Sequence, residues 1–422
     1  LNVATKCSCD GSRGECQNCR PAMPTTLIRG ARLWGHAGTP DLLLRDGRIA
    51  AIGGALTAPS ETELIEANGS LVLPGLVDAH AHLDKTLWGT PWHPHQAGPT
   101  LRDKIDNERS VLQQLGLSPE RQSARILRHM VASGTTHCRT HVDIGPDIGL
   151  RHLHGVMAMR DAHRDVVDLQ IVAFPQTGVM CRPGTLELLE QAVREGAEVL
   201  GGLDPMGIDH DPKGQLDGLF DIAGRRGVEL DIHLHDRGEL GAVTFEMIAE
   251  RTRALGLKGR VAVSHAFCLG QVESPRLEQL IELLLDNDIA IMSHAPSGPT
   301  LFPPLRLLHE RGVRLFTGSD GVRDTWSPLN NGDMLERAYL IAYRSGFRED
   351  PGLELALHMA TTGGAQVMGA TDHGLKVGAA ADLVILEAET AAEAVVFHPV
   401  RQWVFKRGRV VARGGQAMVF AT

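Results

Sequence analysis

Aromatic side chains are scarce in this chain: 2 Tyr, 5 Trp and 10 Phe make up 4% of 422 residues. A small ligand is therefore expected to be recognised mainly by polar contacts. Basic charge is not in excess either. Lys and Arg number 42 against 51 Asp and Glu, a net charge of −9, which excludes the basic surface of a nucleic-acid or anionic-membrane binder. No apolar run approaches the roughly 20 residues of a membrane span. The first residues lack a basic stretch followed by an apolar one, so no secretory signal is read. Seven cysteines spread over this length do not form a disulfide framework, and a reducing cytoplasm is the expected location. The zinc pattern H-x-E with P-C-x-x-C is missing, since C-x-x-C occurs only at Cys16–Cys19. The Gly-rich TTGGAQVMG (361–369) is not followed by a P-loop lysine and reads as a helical junction. No internal repeat is found.

What is present divides into three textures. Residues 1–22 are polar and carry Cys7, Cys9, Cys16 and Cys19. With no apolar residues to fold around, they read as a disordered leader rather than a zinc knot. Residues 23–72 and 374–422 are β-rich, with a tight hairpin turn at Asp46-Gly47, and suggest one small β-sandwich built from both ends of the chain. Between them, residues 73–373 alternate strand and helix. Eight short apolar strands are read at 71–82, 134–143, 168–178, 197–205, 228–236, 260–267, 289–296 and 313–320. Ser118-Pro119-Glu120 is a helix start, followed by Ile126, Leu127, Met130 and Val131 at helical spacing. Leu186, Leu189 and Val193 repeat that spacing before Gly196. Eight such units make the expected fold class α/β, a (β/α)8 TIM barrel.

In such a barrel chemistry sits where the strands end. Strand one ends in His80 and His82, whose i, i+2 spacing puts both on one side. Strand five ends in His233 and His235, strand six in His265 and strand eight in Asp320. Metal-type ligands closing four separate strands on one rim suit one divalent ion, zinc first and iron second. His152-x-His154 has the same spacing but falls in a helix, where i and i+2 face apart, and reads as surface. His93-Pro94-His95 lies in the loop after strand one, at an entrance.

PGLVDAHAHLDK, a strand-five His, SHA on strand six and a strand-eight GSD resemble the amidohydrolase superfamily. HLDK, THVD ending at Asp143, AFPQ (173–176) and the Asp320–Trp326 spacing are similar to its cytosine deaminase branch. The resemblance covers nearly the whole chain from about residue 25. It implies that His80, His82, His233 and Asp320 bind one metal, that His265 stands near its water, and that Gln176 and Trp326 touch the substrate. Strand four, AEVLGGLDP, lacks the lysine that bridges two metals in other members, which favours a single ion. The chain departs from true cytosine deaminases twice. Asp236 stands where they carry a proton-shuttling glutamate, and Gly321 where they carry a second acid. Because Asp236 is a methylene shorter, His235 is the better shuttle. The H-x-H of strand five together with Lys85, read as substrate-binding or as a salt bridge to Asp84, resembles triazine-degrading members of the branch.

The expected activity is mononuclear, metal-dependent hydrolysis of a C–N bond in a small nitrogen heterocycle such as a pyrimidine or triazine, releasing ammonia or an amine. Metal binding brings the pKa of water from about 15.7 to about 7, roughly 12 kcal/mol at about 1.36 kcal/mol per unit. Asp320 would take the water's proton, and His265 would stabilise the tetrahedral intermediate. Expected partners are the small substrate and further copies of the chain, with no nucleic acid and no membrane. Ring opening of a cyclic amide or imide is the second reading, distinguished by a carboxylate product. A non-catalytic metal-bound ligand sensor is the third.

Overall fold

The computed structural model describes residues 24–418, so the cysteine-bearing leader reading lies outside the described residues. Eight parallel strands form one sheet: β1 (Leu76–Ala81), β2 (Thr135–Asp143), β3 (Asp168–Phe174), β4 (Val199–Leu203), β5 (Glu229–His233), β6 (Val261–Ser264), β7 (Ala290–Met292) and β8 (Leu315–Phe316). Each is hydrogen-bonded to the next in chain order. The ring closes between β8 and β1, where Ala79 N donates to Thr317 O at 3.1 Å and Asp320 N to His80 O at 2.8 Å. This is the expected (β/α)8 barrel. Its interior is filled by alternate strand residues, among them Val77, Ala79, Ala262, Met292 and Phe316, plugged from below by Ala365 and Val367. The Gly-rich segment is thus a helical plug: a π-turn over Met359–Gly363 runs into Gly364–Val367.

Helices cover the strands with the apolar faces their spacing dictates. Pro119–Ala132 is capped by Ser118, whose side chain accepts from Arg121 N, and buries Ile126, Leu127, Met130 and Val131. Thr185–Glu195 buries Leu189 and stops at Gly196, φ 118°, a conformation that favours glycine.

Two further sheets flank the barrel sheet, the first built from the N-terminal segment alone and the second from both ends of the described chain. One contains Thr26–Arg29, Asp41–Arg45, Arg48–Gly53 and Glu63–Glu66. The other has six strands, including Leu71–Pro74 paired with Leu383–Leu386 and Arg401–Lys406 beside it. Ile28, Leu42, Ile49, Val72, Leu383 and Phe405 belong to one shared core. The single strand read over 71–82 is therefore two strands in different sheets. Pro74-Gly75 is the switch: a Cβ at Gly75 would lie 2.1 Å from Thr136 Oγ1, so a side chain there would push β1 off β2. Buried Lys406 ties the sheets to the barrel, with Nζ 2.8 Å from Asp168 Oδ2 and 2.7 Å from Asp382 Oδ2.

Candidate active site

The loops leaving the C-terminal ends of the strands surround a cavity of about 1320 Å³. At its floor the donor atoms of His80, His82, His233 and Asp320 converge. His82 Nε2 is 3.3 Å and His80 Nε2 3.6 Å from Asp320 Oδ1, and His233 Nε2 is 3.4 Å from His82 Nε2. Tetrahedral ligands about 2.0–2.1 Å from one centre stand about 3.4 Å apart, so the spacings fit one small divalent ion. The fit has an independent sign: His80 Nε2 is buried without a hydrogen-bond partner, an arrangement that costs free energy unless something fills it.

The other nitrogen of His80 is supported in depth. Ser264 Oγ lies 3.0 Å from His80 Nδ1 and donates to Asp231 Oδ1 at 2.6 Å. That direction leaves Nδ1–H of His80 donating to Ser264, and Nε2 with a lone pair. Arg139 Nη1 in turn holds Asp231 at 3.1 Å. Such outer partners fix the tautomer of a ligating histidine. Burial, with the neighbouring rings, holds His233 well below its ordinary pKa. Burial and the Lys85 charge lower His82. Both rings are thus neutral, as ligation requires. Asp320 stays ionised although burial opposes it, because His294, His80 and His82 surround it.

Backbone geometry places these groups where a regular strand would not. His265 and Asp320 have φ of 72° and 60°, left-handed values uncommon for residues with side chains. Gly318 lets the β8 loop touch β1: a Cβ there would lie 2.2 Å from the His80 carbonyl oxygen.

His235 stacks on His265, with ring centroids 4.3 Å apart, and its Nδ1 is 2.8 Å from Asp204 Oδ2. Burial opposes a charge on His235, but Asp204 outweighs it and raises the pKa. Asp236 accepts from Gly207 N at 3.2 Å; burial and the Asp204 charge push it up to about 6.

Lys85 is buried, and its partners are not the adjacent Asp84. Nζ lies 3.1 Å from Asp143 Oδ1 and 3.3 Å from Glu108 Oε2, and it also donates to Gln176 Oε1. Asp84 instead holds His152 Nδ1 at 2.7 Å, so His152 is an inward-facing residue rather than a surface one. His154 faces outward, as read, and meets Glu195. Trp326 donates its indole N–H to Glu108 Oε2 at 2.6 Å, which fixes its ring on the cavity wall. Lys85, Gln176, His235, Asp236, His265 and Trp326 all line the cavity, whereas the cavity-lining residues do not include His93 or His95. Sequence reading missed Asp204, Glu108, Asp231 and His294. For His294 a signal existed, because Ser-His-Ala recurs at 293–295.

An eight-stranded parallel barrel gathers three imidazoles and a carboxylate on its C-terminal rim, and the relatives it resembles make the class a hydrolase of carbon–nitrogen bonds other than peptide bonds. The family model described as "Amidohydrolase family" matches residues 63–412, and the chain belongs to that family. It is 31% identical over 398 residues to N-isopropylammelide isopropyl amidohydrolase of Pseudomonas sp. (strain ADP), covering 92% of this chain and 97% of that one. The solved N-isopropylammelide isopropylaminohydrolase from Burkholderia multivorans ATCC 17616 superposes with a TM-score of 0.91 at 45% identity, covering 94% of this chain and all of that one. The 5-methylcytosine deaminase from Klebsiella pneumoniae liganded with 5-fluorocytosine gives 0.82 at 28% identity, with 94% and 98% covered. These relatives place the chain in the cytosine deaminase-like branch. Among the described residues no helix is long and apolar enough to cross a membrane.

Proposed function

We propose that this chain is a mononuclear zinc-type hydrolase that removes an exocyclic amino or alkylamino group from a small nitrogen heterocycle, a triazine or pyrimidine. The observation that carries it is the spacing of His80, His82, His233 and Asp320 donors, 3.3–3.6 Å apart. An ion held there supplies Lewis acidity and an acidified water. Water adds to the ring carbon, the C–N bond breaks, and an oxo or hydroxy ring leaves with ammonia or an amine.

The chain's own groups handle the protons. Asp320, ionised among imidazoles, accepts the proton of the attacking water. His265 donates a hydrogen bond to the added oxygen. His235, whose basicity Asp204 raises, delivers a proton to the departing nitrogen, with Asp236 beside it as a second acid. Because Lys85 occupies Gln176 Oε1, the Gln176 amide presents its NH2 to a ring acceptor. Trp326 offers the stacking face. A hydantoinase-like ring opening is less well supported, since β4 carries no lysine and is followed by Asp204.

The test is metal analysis together with an ammonia- and amine-release screen that includes N-isopropylammelide and 5-methylcytosine. One zinc per chain and free amine or ammonia are expected. Asp320→Asn should lower turnover by at least about a hundredfold; retained turnover with normal metal content refutes the assignment.

A further inference from the structure

Two neighbouring strands end in the same tripeptide. Ser264-His265-Ala266 closes β6 and Ser293-His294-Ala295 follows β7. The Nδ1 atoms of the two histidines are 3.2 Å apart. His294 Nδ1 is also 3.7 Å from Asp320 Oδ2, while Asp320 Oδ1 is the oxygen that faces His80 and His82. The two oxygens of one carboxylate therefore look in different directions, one at the ligand centre and one at His294.

The arrangement is anchored. Arg337, buried, donates from Nη1 to the His294 carbonyl at 2.6 Å and from Nη2 to Asn330 Oδ1 at 2.5 Å. Asn330 Nδ2 then donates to Ser319 O and Gly321 O, at 3.1 and 2.8 Å, on either side of Asp320. One guanidinium thus hangs His294 and the backbone around Asp320 from the same point. Ala295, like Asp320, is left-handed, with φ of 50°, which turns the β7 loop towards the cavity.

We propose that His294 is a positioning residue that holds Asp320 to the ion through one oxygen and sets the tautomer of His265. At 3.7 Å the His294–Asp320 contact is electrostatic rather than a hydrogen bond; a lone pair on His294 Nδ1 facing the carboxylate would be repelled by it, which places the proton of the 3.2 Å imidazole pair on His294 Nδ1. His265 Nδ1 is then the acceptor, and its own proton is on Nε2, free to serve as a donor. Without that N–H, nothing would draw Asp320 Oδ2 away from the point where the ligand atoms converge, and the oxygen left free to take the water's proton would be lost. This rests on the single-ion hydrolase reading.

The experiment uses zinc alone, and cobalt as a visible reporter, on the full chain. His294→Phe removes the N–H, and His294→Asn restores a donor near the Nδ1 position. Expected for the Phe variant is a zinc affinity about tenfold weaker or more, and a weaker cobalt visible band as a further oxygen joins the ion. The Asn variant should recover most of both. His294→Leu replaces the Phe variant if the larger ring prevents folding. A donor-free variant that is folded and within twofold of wild type in zinc affinity, with an unchanged cobalt band, overturns the proposal. An Asn variant as impaired as the donor-free one does the same. Variants that show this zinc dependence on His294, beside a wild-type chain that releases no amine or ammonia, refute the functional reading and leave His294 where it is placed here.

Discussion

Replacing Lys85 by Met should destabilise the protein in a pH-dependent way. Lys85 Nζ lies 3.1 Å from Asp143 and 3.3 Å from Glu108, and neither carboxylate side chain is exposed. Methionine keeps the length and deletes the charge, leaving Arg109 as the remaining cation on both acids. Removing one partner of a buried pair costs about 3–5 kcal/mol, because the other charge stays buried. Unfolding entropy of about 2.1 cal/mol/K per residue over 422 residues converts this to a Tm lower by about 3–6 °C. Burial already holds Glu108 above the ordinary carboxylate range, against the pull of Lys85. A carboxyl raised on folding favours the folded state while protonated, and its penalty grows as pH rises from its unfolded value through its folded one. Losing Lys85 raises the folded value further. The Tm loss should therefore be larger at pH 8 than at pH 5.5, and Lys85→Met combined with Glu108→Gln should recover at least half of it at pH 8. Calorimetry at both pH values checks this. Equal losses at the two pH values, or a loss under about 1 °C at pH 8, would refute the reasoning.

Ser264→Ala breaks the link from Asp231 to His80 Nδ1 and should weaken zinc binding by roughly 10- to 100-fold, read by chelator competition. Gly318→Ala puts a methyl against the His80 backbone; overpacking of about 1–3 kcal/mol should lower Tm, and zinc occupancy should fall with it because His80 moves. Burial pushes the Cys268 thiol up to about 12, whereas Cys181 is exposed. Alkylation of the native protein at pH 8, mapped by peptide mass spectrometry, should modify Cys181 and spare Cys268 until denaturant is added.

The barrel, and the gathering of His80, His82, His233 and Asp320 at one rim, were legible from local rules. Alternation along a strand puts His80 and His82 on one side, and strands closing in His233, His265 and Asp320 bring metal-type groups to one rim whatever the helices between them do. Asp46-Gly47 and Ser118-Pro119 announced a turn and a cap for the same reason: short-range backbone preferences are carried by the residues themselves. The single strand read across 71–82 shows where such rules stop. Pro74-Gly75 is compatible with one bent strand or two, and the choice depended on Leu383–Leu386, some 300 residues away, pairing with the first half.

Partner choice inside the cavity belonged to the tertiary structure. Lys85 sits beside Asp84 in sequence but pairs with Asp143 and Glu108, because β2 and the helix Leu101–Leu115 bring buried carboxylates to its ammonium while His152 takes Asp84. His294 joined the site only once ring closure set the β7 loop against the β8 loop, and Arg337 secured both. Sequence periodicity specifies which way a side chain points from its own strand. Which charges and hydrogen-bond donors it meets there is decided by elements far apart in the chain, since burial makes each unpaired group costly and folding pairs whatever the barrel brings within reach.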